Sequence, residues 1–453
     1  MSNREPALTN HEWDELGLLR ASKVAPRPAK LSETGLSETF VADLIAKHLF
    51  DRGTLSLGEL STIVALAGAI VEDVLNFMRT EARVEVRPGQ ASTAGLVYTL
   101  TERGRVTALD AMMRSGYLGA APVPLHYYAK IARAQTIHKR SVTQDSMRAA
   151  FEDVVLDAQL LDRLGPALNS GRAIFLYGPA GTGKTYISQR LCRLFRHPTL
   201  IPHSIAIDDS AVQVFDPLVH KQLRLRPTSD NLKLEKGHDP RFVVCERPVV
   251  ITGGELTSEM LEVHYEPSTR LYEAPLQLKA NNGMFIIDDM GRQKVSPAAV
   301  FNRWIVPMEE KRDYLTLGSG RHFTVPFDVV LVFSTNIHPL ELADEAFLRR
   351  IGYKIEFPTL TAEQYEQIWR DTCALYEVEY ESQVLDYVIN ELHAKRRVAL
   401  LPCHPRDLLG MAVDHAIYED NSRNVSIDHL RWAWDNYFVS VAGHSQLTGR
   451  ESP

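Results

Sequence analysis

The eight residues "GPAGTGKT", Gly178 to Thr185, constrain this chain more than any other stretch. A continuous apolar run, Ala173 to Tyr177, precedes them and reads as a strand buried on both faces, as in a parallel sheet. After them, Ile187, Leu191 and Leu194 fall on one helical face. Strand, glycine turn and helix in this order commit the region to an α/β core. Glycines let successive backbone N–H groups curl around phosphate oxygens, which a Cβ would obstruct. The turn ends on a helix N-terminus, whose free N–H groups and dipole favour anions. Gly178, Pro179, Ala180, Gly181, Thr182 and Gly183 therefore form a phosphate cradle. In such a loop Lys184 reaches the β- and γ-phosphates, and Thr185 offers its hydroxyl to Mg²⁺.

A phosphate loop needs a carboxylate from a neighbouring strand end to hold the cation through water. "MFIIDDMGR", Met284 to Arg292, supplies one in Asp288. Asp289 follows in the place where a second acid would orient and deprotonate an attacking water. A further buried strand, "VVLVFSTN", ends on Asn336, which can hydrogen-bond that water or the γ-phosphate. "DEAFLRRIGYKIEF" sets Arg349 and Arg350 at a helix end, where a guanidinium suits either the helix dipole or a phosphate of a neighbouring subunit. "CHPRDLL" puts Arg406 at a helix start, against the dipole, which calls for an anionic partner.

Five elements in this order resemble the AAA+ ATPases over residues 150–440. "GPAGTGKT" is similar to the family's Walker A and "FIIDD" to its Walker B. "STN" is similar to sensor 1, "FLRRI" to the arginine-finger region and "HPRDLL" to sensor 2. Aligned on "YKIEF", Arg350 falls where MoxR-like members carry their finger, with Arg349 the second choice. The resemblance implies a P-loop α/β core with a parallel sheet, a C-terminal helical lid, and ATP with Mg²⁺ held between the subunits of a homo-oligomeric, hexameric ring.

Three departures stand out. The second Walker B acid is usually Glu. Asp289 is one methylene shorter, and a displacement of ~1 Å can cost ~10²-fold in rate. The 103 residues from Thr185 to Asp288 exceed what a minimal core needs. The surplus lies near "SDNLKLEKGHDPRF" and "GGELTSEMLEVHYEPSTRLYEAP", and long insertions in a compact domain are usually functional. "RDYLTLGSGRHFTVPF" alternates around Gly318-Ser319-Gly320 and predicts a hairpin before sensor 1, with Tyr314 and His322 as candidate pore contacts.

Upstream, three helical patterns, a strand, a turn-rich loop and another strand give a winged-helix order, with a capping box at Ser56–Glu59. The expected layout is a flexible tail over 1–35 with a short helix at His11–Leu19, then a small α+β winged-helix domain over 36–116. An extended linker over 117–149, the α/β domain over 150–358 and the helical lid over 359–453 complete it. Strands of the α/β domain are expected at "HSIAI" and "RPVVIT" as well, and one helical stretch over Gln144–Leu168.

A net charge of -7 provides no global basic field for nucleic acid. Residues 36–106 hold nine acids and seven bases, and the third helix carries Glu72 and Asp73. A protein client is therefore favoured over DNA, although Arg79, Arg83 and Arg87 suggest a basic wing. Four scattered cysteines suit a reducing compartment, and Cys403-His404 lacks metal-ligand spacing. The polar N-terminus and the short apolar run Ile63–Val71 predict a cytoplasmic protein without membrane insertion. Three functions fit: an ATP-driven remodeller of a protein complex, a DNA-associated loader or transcriptional regulator, and a slowly hydrolysing nucleotide switch.

Overall fold

The computed structural model describes residues 23–88, 96–139, 142–195, 197–223 and 237–438. The helix expected at His11–Leu19 lies outside them. In the amino-terminal unit, the Ser37 hydroxyl accepts from the Phe40 N–H and opens α1 (Glu38–Arg52). The two-residue β1 (Leu55–Ser56) leads into α2 (Leu57–Val64), whose Ser56–Glu59 capping box forms as expected. Then come α3 (Gly68–Thr80), β2 (Val84–Pro88), β3 (Leu96–Leu100) and α4 (Glu102–Arg114). β1 pairs antiparallel with β3 and completes a three-stranded sheet. Two residues are too few for alternation to register, so the sequence pattern passes over it. Val41, Leu44, Ile45, Ile70, Val74 and Leu75 fill the core between helices and sheet.

The described parts of the segments read as tail and linker, residues 23–35, 117–139 and 142–149, are built into the fold. Ala25 is wholly buried, and its carbonyl accepts from the Asp239 N–H at 2.8 Å. Arg241 donates to the Thr34 carbonyl at 2.9 Å. In place of an extended linker stand β4 (Val123–Pro124), α5 (Leu125–Ala134) and α6 (Gln144–Ala150). Pro122 and Pro124 suggested extension. Pro124 instead occupies the N-cap of α5, where no helical bond needs its N–H. The single helix expected to run on from Gln144 breaks after Ala150 and resumes as α7 (Ala158–Ser170).

β5 (Ile174–Tyr177) and α8 (Lys184–Leu191) flank the glycine loop. β6 (Thr199–Pro202), β7 (Ser204–Ile207), β8 (Ser210–Gln213), β9 (Phe242–Cys245), β10 (Val249–Thr252), β11 (His264–Glu266) and β12 (Leu271–Glu273) follow. Next are β13 (Met284–Ile287), α9 (Pro297–Glu310), the hairpin β14 (Arg312–Thr316) and β15 (His322–Pro326), and β16 (Val330–Thr335). α10 (Glu345–Arg350) and β17 (Tyr353–Glu356) end the core.

Five of these strands form one sheet in the order β10-β13-β16-β5-β17, every neighbouring pair parallel. Alternation sorts its side chains. Ile174, Leu176, Ile286 and Val332 pack on α6, α7 and α8 through Met147, Leu164 and Ile187. Phe175, Phe285, Ile287 and Phe333 pack on α9 and α10 through Phe301, Trp304 and Phe347. This is a three-layer α/β core, with β5 between β16 and the last strand, β17, at a topological switch point.

The long insertion makes a second sheet, β11-β12-β8-β7-β4. "HSIAI" therefore forms a strand, β7, but outside the parallel sheet. "RPVVIT" yields β10, at the parallel sheet's edge. The expected hairpin forms and buries Leu315, Leu317, Phe323 and Val325 against the insertion and α5. Residues after β17 are helical: α11 (Ala362–Tyr376), a segment over 382–394 that ends in a π-helical stretch, α12 (Cys403–Asp420) and α13 (Ile427–Tyr437). Their core is Tyr365, Trp369, Leu408, Leu409, Leu430 and Trp434.

Candidate nucleotide-binding site

The parallel sheet brings three strand ends together. Ile287 pairs with Phe333, and Thr335 pairs with Tyr177, so β13, β16 and β5 finish side by side. The glycine loop, the two aspartates and Asn336 leave from that one edge. Gly183 provides no side-chain cap for α8, which leaves the first-turn N–H groups as donors for an anion.

The loop closes around Lys184. Its Nζ donates to the carbonyls of Gly178 at 2.9 Å and Pro179 at 2.8 Å, and to Asn336 Oδ1 at 2.8 Å. Burial lowers the Lys184 pKa below its ordinary value, while the charges of Asp288 and Asp289 pull it back. Thr185 Oγ1 donates to Asp288 Oδ2 at 2.6 Å. A hydroxyl and a carboxylate in contact beside the phosphate cradle are the donor set that a hard, oxygen-seeking cation such as Mg²⁺ takes. These residues fit the magnesium nucleotide that the loop implies.

Asp289 sits one step further round the same turn. Its φ is +48°, in the left-handed region that Asp and Asn tolerate better than other residues with a Cβ. Asn336 Nδ2 donates to Asp289 Oδ1 at 3.2 Å. Asn336 thus joins Lys184 to Asp289. Gln293, which the sequence reading passed over, pins the turn. Its Nε2 donates to the carbonyl of Asp288 at 2.7 Å and to that of Asp289 at 3.2 Å. Thr335 Oγ1 holds the Met290 carbonyl at 2.8 Å. A glutamine six residues past a strand end has no signature of its own; only the turn's geometry gives it a role.

Gly181 ties the loop to the helical region. Its φ is +84°, and a Cβ there would come within 2.6 Å of Cys403 Sγ on the first turn of α12. Arg406 is exposed one turn further along that helix. Cys403 marks the contact between lid and loop, a second position without a sequence signal.

Arg349 and Arg350 are not at this edge. They precede β17, whose first residue, Tyr353, pairs with Ile174 at the start of β5. The loop leaves the other end of β5, ~10 Å away at strand rise. Arg350 Nε donates to Glu309 Oε1 at 2.6 Å, and Arg349 lies 3.6 Å from Glu345 with its side chain 81% exposed. The site of one chain therefore gathers Lys184, Thr185, Asp288, Asp289 and Asn336, and leaves both arginines apart.

Strand order, glycine loop and helical region together define a parallel α/β fold with a phosphate-loop strand–turn–helix and a helical C-terminal region. A domain family described as a domain of unknown function (DUF8689) matches residues 361–436, most of the helical region. No curated protein sequence matches the chain. Among solved structures, it is similar to the RuvB Holliday junction branch migration motor of Thermotoga maritima. That likeness has 13% identity and a TM-score of 0.36, over 62% of this chain and 70% of the other. NtrX from Brucella abortus is similar at 12% identity and a TM-score of 0.38, over 68% of this chain and 58% of the other. Neither likeness at this level bears on function.

Proposed function

We propose that the protein is an ATPase that hydrolyses Mg-ATP between subunits of a homo-oligomeric ring of the MoxR-like type and uses the cycle to remodel a protein complex. The observation that carries this reading is the joined set Thr185–Asp288 and Lys184–Asn336–Asp289 at the mouth of the phosphate loop. Bound Mg²⁺ would neutralise charge on the β- and γ-phosphate oxygens. Thr185 and Asp288 would hold it, directly or through water. Lys184 gives up its loop carbonyls for the phosphates. Asn336 aims the Asp289 carboxylate, and Asp289 takes the proton of the attacking water. Arg406, on the helix seated against the loop, adds positive charge at the phosphates.

Arg350, with Arg349 as the alternative, serves the neighbouring subunit. Its place at the amino end of the sheet supports this, because the strand it leads into begins beside the start of β5, ~10 Å of strand from the loop. Leaving Glu309 is part of assembly. The ring accordingly hydrolyses only when subunits meet.

The amino-terminal unit, read as a winged helix over 36–116, is the adaptor. Charge on its surface favours protein over DNA. The exposed face of α3 presents Glu72 and Asp73. Of the suggested basic wing, Arg83 is buried against Asp43 at 2.6 Å and Arg87 pairs with Glu85, so both are neutralised. On α4, Val106, Leu109 and Met113 are 67%, 48% and 62% exposed at a three-then-four spacing, an apolar stripe suited to a protein surface.

Steady-state phosphate release against protein concentration tests the ring. The specific rate climbs with concentration in the parent and stays flat and low in Arg350→Ala. An equal rate at every concentration in both proteins overturns the shared site. Duplex binding that weakens steeply with salt would transfer the adaptor role to DNA.

A further inference from the structure

α12 and α13 bring three further ligating side chains together, away from the phosphate loop. His415 and Glu419 lie one helical turn apart on α12, and His429 faces them from the first turn of α13. Their donor atoms all fall within 4.8 Å of one another. His415 Nε2 is 3.5 Å from Glu419 Oε1, and His429 Nε2 is 3.3 Å from Glu419 Oε2. In a tetrahedral zinc site with bonds of ~2.0–2.1 Å, neighbouring donors stand ~3.3 Å apart. One Glu419 oxygen stands near that distance from His415 and the other from His429, so a small turn of the Glu419 side chain brings one oxygen to both.

The rings are held in place. His415 stacks on Trp432 with centroids 4.1 Å apart and planes 6° from parallel. The His429 ring is buried, and its Nδ1 accepts from the Ser426 N–H at 3.2 Å in the cap of α13. His415 Nδ1 is buried without a hydrogen-bond partner among the described residues. Glu419 is half exposed, which leaves a path for an ion and room for a fourth, solvent ligand.

We propose that His415, Glu419 and His429 bind a borderline divalent transition metal, zinc in the first place, and so staple α12 to α13. Two imidazoles and one carboxylate select zinc, cobalt, nickel or copper over magnesium and calcium, which prefer all-oxygen shells. Loading shifts the His429 proton from Nε2 to Nδ1 and gives up the Ser426 contact, which weakens the site. Three protein ligands leave the fourth position open. Cys403, which touches the phosphate loop, is twelve residues from His415 on the same helix, ~18 Å at helical rise. The staple is therefore separate from the magnesium pair Thr185 and Asp288.

The full chain, stripped with a chelator, is titrated with Zn²⁺ against a chromophoric competitor, and with Co²⁺ followed by its tetrahedral visible absorption. One equivalent is expected in the parent and in Asp288→Asn. Affinity falls at least about ten-fold in Glu419→Gln and in His429→Gln, since loss of a supporting contact alone costs that much. Far-ultraviolet circular dichroism confirms that the exposed Glu419→Gln change leaves the fold intact. No uptake, uptake unchanged in both ligand variants, or uptake lost only in Asp288→Asn overturns the site.

Discussion

Asp289→Asn separates a chemical role from a structural one with little disturbance. The backbone at 289 is left-handed at φ +48°, which Asn tolerates as readily as Asp. The amide oxygen of the new side chain can still accept from Asn336, 3.2 Å away in the parent. Thr185, Asp288 and Lys184 keep every contact they have. What disappears is a carboxylate able to take a proton. A positioned general base contributes ~10²–10⁴-fold, or about 3–5 kcal/mol of barrier. The expected result is a fall in kcat of that size with nucleotide affinity unchanged. Phosphate release at saturating Mg-ATP gives the first number, and titration with a fluorescent nucleotide gives the second. An Asn variant that hydrolyses within about three-fold of the parent refutes the assignment of Asp289 as base. The companion change, Asp289→Glu, tests why Asp stands here. Its longer side chain gains reach but pays roughly 1 kcal/mol for the left-handed backbone. A loss of ~2–4 °C in melting temperature is expected for a domain of this size.

Gly181→Ala drives a Cβ into Cys403 Sγ at a φ of +84°, so nucleotide affinity should fall and the helical region should be cleaved faster by protease. An unchanged affinity would show that the contact with α12 does not shape the loop. Gln293→Ala frees the carbonyls of Asp288 and Asp289; kcat should drop about ten-fold, as expected for a sub-ångström displacement, with nucleotide binding kept. Stability should also depend on pH through His404. Burial first, then His393, pushes its pKa down to about 4 from 6.5. Between those values the unfolded chain holds the extra proton, so stability is lost as pH falls through the window, by at most about 1.4 kcal/mol per unit. Denaturant midpoints at several pH values, compared with those of His404→Gln, check this.

The site was the most legible part of the chain, because phosphate chemistry restricts residue types. Glycine permits the positive φ at 178, 181 and 183, a carboxylate and a hydroxyl suit a hard cation, and the loop and the acids each follow a buried strand that a continuous apolar run reveals. Gln293 and Cys403 were not legible. They act through a carbonyl contact and a packing contact, and any residue of similar shape leaves the same trace in a sequence. The arginines fall between: their spacing from "YKIEF" is in the sequence, while their distance from the loop needed the pairing of Tyr353 with Ile174.

The insertion shows where reading along the chain stops. Residues 117–149 read as a linker, with Pro122 and Pro124 suggesting extension, yet β4 pairs with β7, eighty residues on, and α5 closes a core shared with the hairpin. The tail reads as polar, yet Ala25 and Thr34 are fastened by Asp239 and Arg241. By itself, the sequence determined the phosphate loop, its acids, the buried parallel strands and the helical close, since each rests on residue type and short-range period. The tertiary structure alone decided which strands became neighbours, which arginine met which carboxylate, and which far segments shared a core. Those outcomes depend on contacts between residues many positions apart, whose free energy belongs to the assembled fold and leaves no periodic mark on the chain.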